Sequence, residues 1–263
     1  MNRFQDKVVW ITGASSGLGE ALAYAFRSEG ARLILSARNG TELERVRKQC
    51  GGGEQEVVAL PLDLADTAGL KARAEQALAV FGRIDVLVNN GGVGTRGQAL
   101  EIPVDLDERV LRVNYLGTVA LTKAVLPSMI ERKQGQIVVI SSLMGKISVP
   151  GGSAYAASKH ALHGFFEALR AEVWREGIHI TLVMPGYVRT NISINALKPD
   201  GTTFGKMDRA HANALSADKA ARQIVDAVAK RKAESYIGRE VFGVYIYRLF
   251  PGLFRAAVKR IRF

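Results

Sequence analysis

A tyrosine, a lysine and a serine carry the chemistry most readily read from this chain. Tyr155 and Lys159 stand four residues apart in a stretch of helical character, so they share one helix face. Ser142 lies 13 residues before the tyrosine, at the end of an apolar run that reads as a strand. A phenol near its reference pKa of about 10 is a weak base at neutral pH, and a nearby ammonium favours the phenolate and lowers that value. The expectation is a Tyr155 whose pKa is depressed by Lys159, a tenfold gain in acidity corresponding to about 1.4 kcal/mol. Ser142 would hydrogen-bond a substrate oxygen as charge develops on it. These groups suit a proton transfer that accompanies movement of a hydride at a carbonyl or alcohol carbon. Tyr-x-x-x-Lys pairs are also common on solvated helix faces, so the assignment depends on what accompanies this one.

What accompanies it is a nucleotide-type loop. Thr12 to Gly19 reads TGASSGLG, follows a strand and opens a helix. Gly13, Gly17 and Gly19 let the backbone approach a pyrophosphate, and the helix start near Ser15, Ser16 and Leu18 offers free N–H groups and the positive end of a dipole. The competing reading is a plain turn. A ribose-binding acid is expected where the second strand ends, about 20 residues on. That strand instead ends Ser36-Ala37-Arg38. A guanidinium there matches a 2′-phosphate, which predicts NADP(H) over NAD(H), against the alternative of a solvated arginine at a helix start. Asp63 is placed to accept from an adenine amino group, or to act as an ordinary turn cap. Asn89-Asn90-Gly91-Gly92 follows the fourth strand, where ligands bind in open α/β sheets, although turn chemistry explains it equally well.

The elements that must position these residues alternate. Short β-branched runs at Val8 to Thr12, Arg32 to Ser36, Val57 to Leu60, Val86 to Val88, Ile137 to Ile140 and Ile178 to Val183 read as buried strands. Between them, Leu18 to Ser28, Thr41 to Gln49, Thr67 to Val80 and Ala154 to Arg175 read as amphipathic helices. This alternation predicts an α/β chain with a doubly wound parallel sheet. No linker, repeat or low-complexity tract interrupts it, so residues 1–263 are expected to form one domain. Residues 191–214 weaken into a polar segment suited to a substrate lid or to an ordinary connection.

Bulk composition narrows the classes. With 36 Lys and Arg against 25 Asp and Glu, the chain carries +11, which favours anionic ligands, nucleic acid or an acidic membrane surface without choosing among them. The single Cys50 forms no internal disulfide, so a reducing cytoplasm suits the protein. No apolar stretch reads as a signal peptide or a membrane span.

Taken together, these motifs resemble the classical short-chain dehydrogenase/reductase family over nearly the whole chain. The resemblance implies a Rossmann fold with a seven-stranded parallel sheet. It also implies a catalytic tetrad of Asn114, Ser142, Tyr155 and Lys159, in which Asn114 supports a proton-relay water and Lys159 binds the nicotinamide ribose. The family's NNAG turn matches Asn89 to Gly92 with glycine replacing alanine, and Asn90 lines the cofactor. Its PG motif matches Pro185 and Gly186, with Val188 and Thr190 placed on the carboxamide. The stretches Ser141 to Ala171 and Thr190 to Asp208 look most like reductases related to corticosteroid dehydrogenase and to the type 7 dehydrogenase/reductases, which prefer NADP(H). Relatives pair through the catalytic helix, so Ala154, Ala156, Ala157 and Ala161 are expected to let it pack on a partner in a homodimer or homotetramer.

Several features keep other readings open. Residues 241–263 mix aromatic and basic side chains in a pattern suited to peripheral membrane contact, or to covering the pocket or packing on another subunit. His160 and His163 read as structural or exposed, and no metal site is expected. Lys230-Arg231-Lys232 reads as a solvated helix end. A non-catalytic NADP sensor, or a nucleic-acid- or membrane-binding protein on the same fold, is the alternative that the charge motivates; the complete tetrad argues for the enzyme.

Overall fold

In the computed structural model, residues 2–207 and 214–261 are described. Five strands carry the centre of a parallel sheet: β1 (Val8–Thr12), β2 (Arg32–Ser36), β4 (Val86–Asn89), β5 (Gly135–Ile140) and β6 (Ile178–Pro185). β3 (Val57–Ala59) and β9 (Glu234–Ile237) form its edges, giving the order β3-β2-β1-β4-β5-β6-β9 with every pairing parallel. Every residue of β1 is buried, as expected of a strand covered on both faces.

Helices α1 (Gly17–Ser28), α2 (Gly40–Gln49) and α7 (Ala217–Ala229) contribute Leu22, Phe26, Val46 and Ile224 to the core on one face of the sheet. On the other face, α3 (Leu70–Phe81), α5 (Thr118–Glu131) and α6 (Ser153–Val173) bring Ala74, Val125, Leu162 and Phe166 against Trp10 and Leu87. The short helix α4 (Val104–Leu111) runs into a π-helical turn, Arg112–Gly117, before α5 begins. The sheet reverses direction of progression between β1 and β4, and both strands end at the edge where the motif residues gather.

The predicted elements are all present, and their differences have local causes. The third helix starts at Leu70, not Thr67, because the Asp66 carboxylate accepts from Gly69 N at 3.1 Å and holds a turn there. Helix α6 ends at Val173, not Arg175, and tightens into a 3₁₀ turn, Trp174–Glu176. The seventh strand, β9, has no strong apolar run because it is an edge: in Glu-Ser-Tyr-Ile only Ile237 is buried.

Part of the predicted lid lies outside the described residues, at 208–213. Its base is a two-stranded ladder of β7 (Val188–Arg189) with β8 (Leu215–Ser216). Between them, Leu197 N donates to Gly94 O and Arg96 N donates to Leu197 O, fastening the segment to the loop after β4. The tail forms α8 (Val241–Leu249) and α9 (Pro251–Val258), of which only Val244 is buried; residues 262–263 lie outside the described residues.

Candidate active site

The glycine loop and the turn after β4 are tied together by one side chain. Thr12 Oγ1 accepts from the backbone N–H of both Asn90 and Gly91 at 3.0 Å and donates to Val88 O. Asn90 Nδ2 returns the contact, donating to Thr12 O at 2.9 Å and Gly13 O at 3.3 Å. Asn89 is buried and bonds Thr122 Oγ1 on α5. The Asn-Asn pair therefore shapes the loop, and Asn90 lies directly against it. Gly13 and Gly17 have φ of +66° and +59°, and a Cβ on Gly19 would fall 2.1 Å from Gly13 O. Ser16 is the N-cap of α1 and makes no side-chain cap, so the first-turn N–H groups that follow face the loop without a side-chain acceptor. Leu18 packs into the core beneath it, and Ser15 meets Arg45 through its carbonyl.

Around that cradle, Arg38 is exposed just past β2 and, among the described residues, has no hydrogen-bond or ion-pair partner. Asp63 is exposed, and its Oδ1 accepts from Ala65 N at 2.9 Å, which makes it a turn cap. Thr190 stands against Gly17, its Cβ 3.1 Å from where a glycine Cβ would be. Pro185 ends β6, Gly186 N donates to Ile237 O at 2.7 Å, and Val188 is buried in the small ladder. The loop, the unpaired guanidinium and the close approach of Thr190 fit a dinucleotide whose pyrophosphate rests on the start of α1.

The residues expected to be catalytic come together from β5, α6 and the π-helical turn. Ser142 follows β5 in extended conformation and heads a 3₁₀ turn, Leu143–Gly145; its Oγ accepts from Met144 N at 3.1 Å and it hydrogen-bonds the Tyr155 phenol. Lys159 is 4% exposed, lies 5.6 Å from the Tyr155 ring centroid, and donates from Nζ to Ile140 O at 2.8 Å. Asn114 is 1% exposed and acts as a two-sided clamp. It exchanges hydrogen bonds with the backbone of Val93 at 2.8 and 2.9 Å and donates to Ser158 Oγ at 3.0 Å. Its side chain is thus spent on holding the β4 loop to α6, while its carbonyl accepts from Thr118 Oγ1. The π-helical widening at residues 112–117 is the kind of bulge that places a side chain outside the ordinary helical register.

The expected depression of the Tyr155 pKa is not found. Burial pushes the phenol up to about 12, and the hydrogen bond with Ser142 opposes this only in part. Burial also pulls Lys159 down to about 8, so near neutral pH its charge is held less firmly than that of a solvated lysine. Desolvation disfavours both charged forms, and the ammonium is turned toward a backbone carbonyl instead of the phenol oxygen.

Other expectations divide. His163 is buried and bonded to Ser141, whereas His160 is exposed with its ring nitrogen Nδ1 at 2.9 Å from Ala156 O; among the described residues no group of metal-ligating side chains gathers. Cys50 caps α2, half-buried, and burial raises its thiol to about 11, away from reactive thiolate character. Lys230 pairs with Asp226 and Arg231 meets His179 at the end of α7. Ala154 and Ala156 are buried, so of the four alanines expected to meet a partner only Ala157 and Ala161 are open to one. Sequence reasoning passed over Thr12 as an organiser and the Ser141–His163 contact. The signal for the second was available, since His163 is four residues beyond Lys159 and shares its helix face.

A family model described as short chain dehydrogenase matches residues 7–200. The chain is 46% identical to dehydrogenase/reductase SDR family member 7B of Mus musculus over 256 residues, covering 95% of this chain and 79% of that protein. It is 50% identical to an SDR family protein 7-like dehydrogenase/reductase of Anopheles gambiae, covering 85% and 72%, and 45% identical to family member 7 of Homo sapiens, covering 94% and 75%. Among solved structures it superposes on a short-chain dehydrogenase/reductase from Burkholderia phymatum in complex with NAD, with TM-score 0.84, 26% identity and 96% of each chain covered. A short-chain dehydrogenase from Streptomyces avermitilis gives TM-score 0.80 at 31% identity, covering 97% of this chain and 95% of that one.

Proposed function

This chain belongs to the short-chain dehydrogenase family, and from that premise we propose that it is an NADP(H)-dependent oxidoreductase interconverting a carbonyl and a secondary alcohol of an apolar small molecule. The observation that carries the reading is the meeting at one sheet edge of Ser142, Tyr155 and Lys159 with a donor-lined glycine loop and the unpaired Arg38. Gly13, Ser15, Ser16, Gly17, Leu18 and Gly19 would hold the pyrophosphate, Arg38 the 2′-phosphate, and Asp63 and Asn90 the adenine and ribose side. Lys159 would hold the nicotinamide ribose, and Pro185, Gly186, Val188 and Thr190 the carboxamide end. When bound, the nicotinamide supplies or accepts the hydride.

The chain's own residues manage the proton and the charge. In reduction, Ser142 donates a hydrogen bond to the substrate oxygen, and Tyr155, kept neutral by its burial, gives that oxygen a proton as the carbonyl carbon becomes tetrahedral. Lys159 returns a proton toward the phenolate left behind, with Asn114 holding β4 and α6 at the spacing this requires. An apolar substrate suits the loops after β5 and β6, which carry Met144, Ile147 and the exposed Tyr187 and Met207. The protein would work as a homodimer or homotetramer in the cytoplasm.

The tail supports a peripheral contact with an anionic lipid surface. Residues 241–263 contain no acidic residue, and Phe242, Leu249 and Leu253 are 76%, 69% and 63% exposed beside Arg248 and Arg255.

The test is loss of NADPH absorbance over a panel of ketones, aldehydes, steroids and retinoids, with NADH and Tyr155→Phe run in parallel. Turnover that prefers NADPH and disappears in the variant is expected. Failure to bind either dinucleotide would overturn the reading.

A further inference from the structure

Behind Ser142 lies a buried histidine that the proton chemistry above does not use. Four residues beyond Lys159, His163 points from α6 toward the end of β5, where its Nε2 is 3.0 Å from Ser141 Oγ. Ser141 is 3% exposed; its backbone N–H makes the last rung from β5 to β6, donating to Val183 O at 2.8 Å, and its Oγ also lies 3.4 Å from Lys159 O. At the other end of the same turn, Gly145 N donates to Ser142 O at 2.9 Å. Gly145 rests on the imidazole: a Cβ there would sit 2.7 Å from both His163 Cδ2 and Nε2 and 2.6 Å from Ser141 Oγ. One ring therefore meets both ends of the turn that carries the serine.

We propose that His163 is a positioning residue for the reaction, a neutral template that fixes the Ser141–Gly145 turn and thereby aims Ser142 at the substrate oxygen and Tyr155. This inference rests on Ser142 having the role given to it above.

The chemistry of the site supports a fixed neutral ring. The second ring nitrogen, Nδ1, is buried and, among the described residues, has no hydrogen-bond partner, so the tautomer is selected at the Ser141 end. If Ser141 donates to Lys159 O, Nε2–H donates to Ser141 and Nδ1 keeps only a bare lone pair; the opposite tautomer would bury an unpaired N–H. The titratable groups near the ring are Lys146, Glu234, His160 and Lys159, with Lys146 Nζ bonded to Glu234 Oε1 at 2.9 Å. Burial, aided by the nearby lysines, holds the imidazole down to about 4, so it stays uncharged through the working range. A leucine of similar bulk would fill the space yet leave Ser141 free to rotate. A glutamine can place a donor where Nε2 stands.

The experiment is a double-mutant cycle on the full chain, measuring kcat, KM for NADPH and NADPH binding for Ser141→Ala, His163→Leu, His163→Gln and the Ser141→Ala/His163→Leu pair. Misaiming a reacting group by less than an ångström is expected to lower kcat about tenfold in each of Ser141→Ala and His163→Leu, with KM and binding of NADPH unchanged. The pair should be no worse than either single variant, and His163→Gln should recover most of the loss. Multiplied losses in the pair, a glutamine as poor as leucine, or wild-type kcat in His163→Leu would overturn the inference. Histidine nitrogen NMR reports on the same contact without turnover. A single neutral tautomer, protonated on Nε2, whose signal moves in Ser141→Ala is expected; a mixed or titrating ring near neutral pH would also overturn it. If Tyr155→Phe is inactive while His163→Leu is fully active, the positioning role fails and the reductase assignment stands.

Discussion

At the scale of single residues, the site is governed by competition between burial and charge. Tyr155 and Lys159 are both shifted toward their neutral forms, to about 12 and about 8, because desolvation outweighs the Ser142 hydrogen bond at the phenol and acts unopposed at the lysine. A difference titration of the ligand-free protein against Tyr155→Phe should therefore show no phenolate from this residue below about pH 10. The lysine has a consequence for stability. Its folded pKa lies below the ordinary 10.5, so between these values the unfolded chain binds more protons and stability falls as pH is lowered from about 10.5 to about 8. Lys159→Met should abolish turnover, and its stability relative to wild type in urea unfolding should rise as pH falls through that window, by up to about 3 kcal/mol. Arg38 makes a separate prediction. If Arg38 holds the 2′-phosphate as proposed, replacing it by Glu removes a charge-assisted contact worth about 1.5–3 kcal/mol, so KM for NADPH should rise about ten- to a hundredfold while KM for NADH changes little.

At the scale of elements, chain geometry decides whether side chains meet. The start of α1 closes on the glycine loop because Gly19 has no side chain: a Cβ there would be 2.1 Å from Gly13 O. Gly19→Ala should weaken NADPH binding, measured by fluorescence titration, at least about tenfold and destabilise the fold by about 1–3 kcal/mol. The loop and the Asn-Asn turn come from β1 and β4, which are far apart in sequence and adjacent in the sheet. Thr12 and Asn90 join them, so the cradle is a property of two strands together. The π-helical turn performs the same service on the other side, turning Asn114 inward to join Val93 to Ser158.

At the scale of the whole molecule, the sheet gathers the motif residues at one edge, and among the described residues the tail reaches the core only through Val244 and the adjoining Val241. No helix among the described residues is long and apolar enough to cross a membrane. Instead α8 and α9 hold their aromatic residues outward, with Val244 alone buried, beside cationic side chains on a chain carrying +11. The whole chain should sediment with anionic vesicles and not with neutral ones, and added salt should release it, since exposed charges are screened within about 10 Å at 0.1 M. A form ending at Leu249, which keeps Val244, should lose most of that binding while keeping NADPH turnover in solution. Retention of the full binding by this form would remove the role of α9.

What the sequence determined by itself was the part encoded in short-range pattern. Strand and helix alternation, the glycine loop, Arg38 and the Tyr155–Lys159 spacing are all local, because period, turn chemistry and helix register operate over a few residues. Tertiary structure decided everything that depends on surroundings. Edge strand β9 has no buried run to announce it, and Ala154 and Ala156 are buried only by the packing of α6. The sign of the Tyr155 shift followed from how deeply the phenol is buried and from where the lysine points, neither of which is written in a four-residue spacing. The clasp of Ser141 by His163 joins a strand end to a helix turn 22 residues on, and only the packing of α6 against β5 brings the two side chains within hydrogen-bond reach.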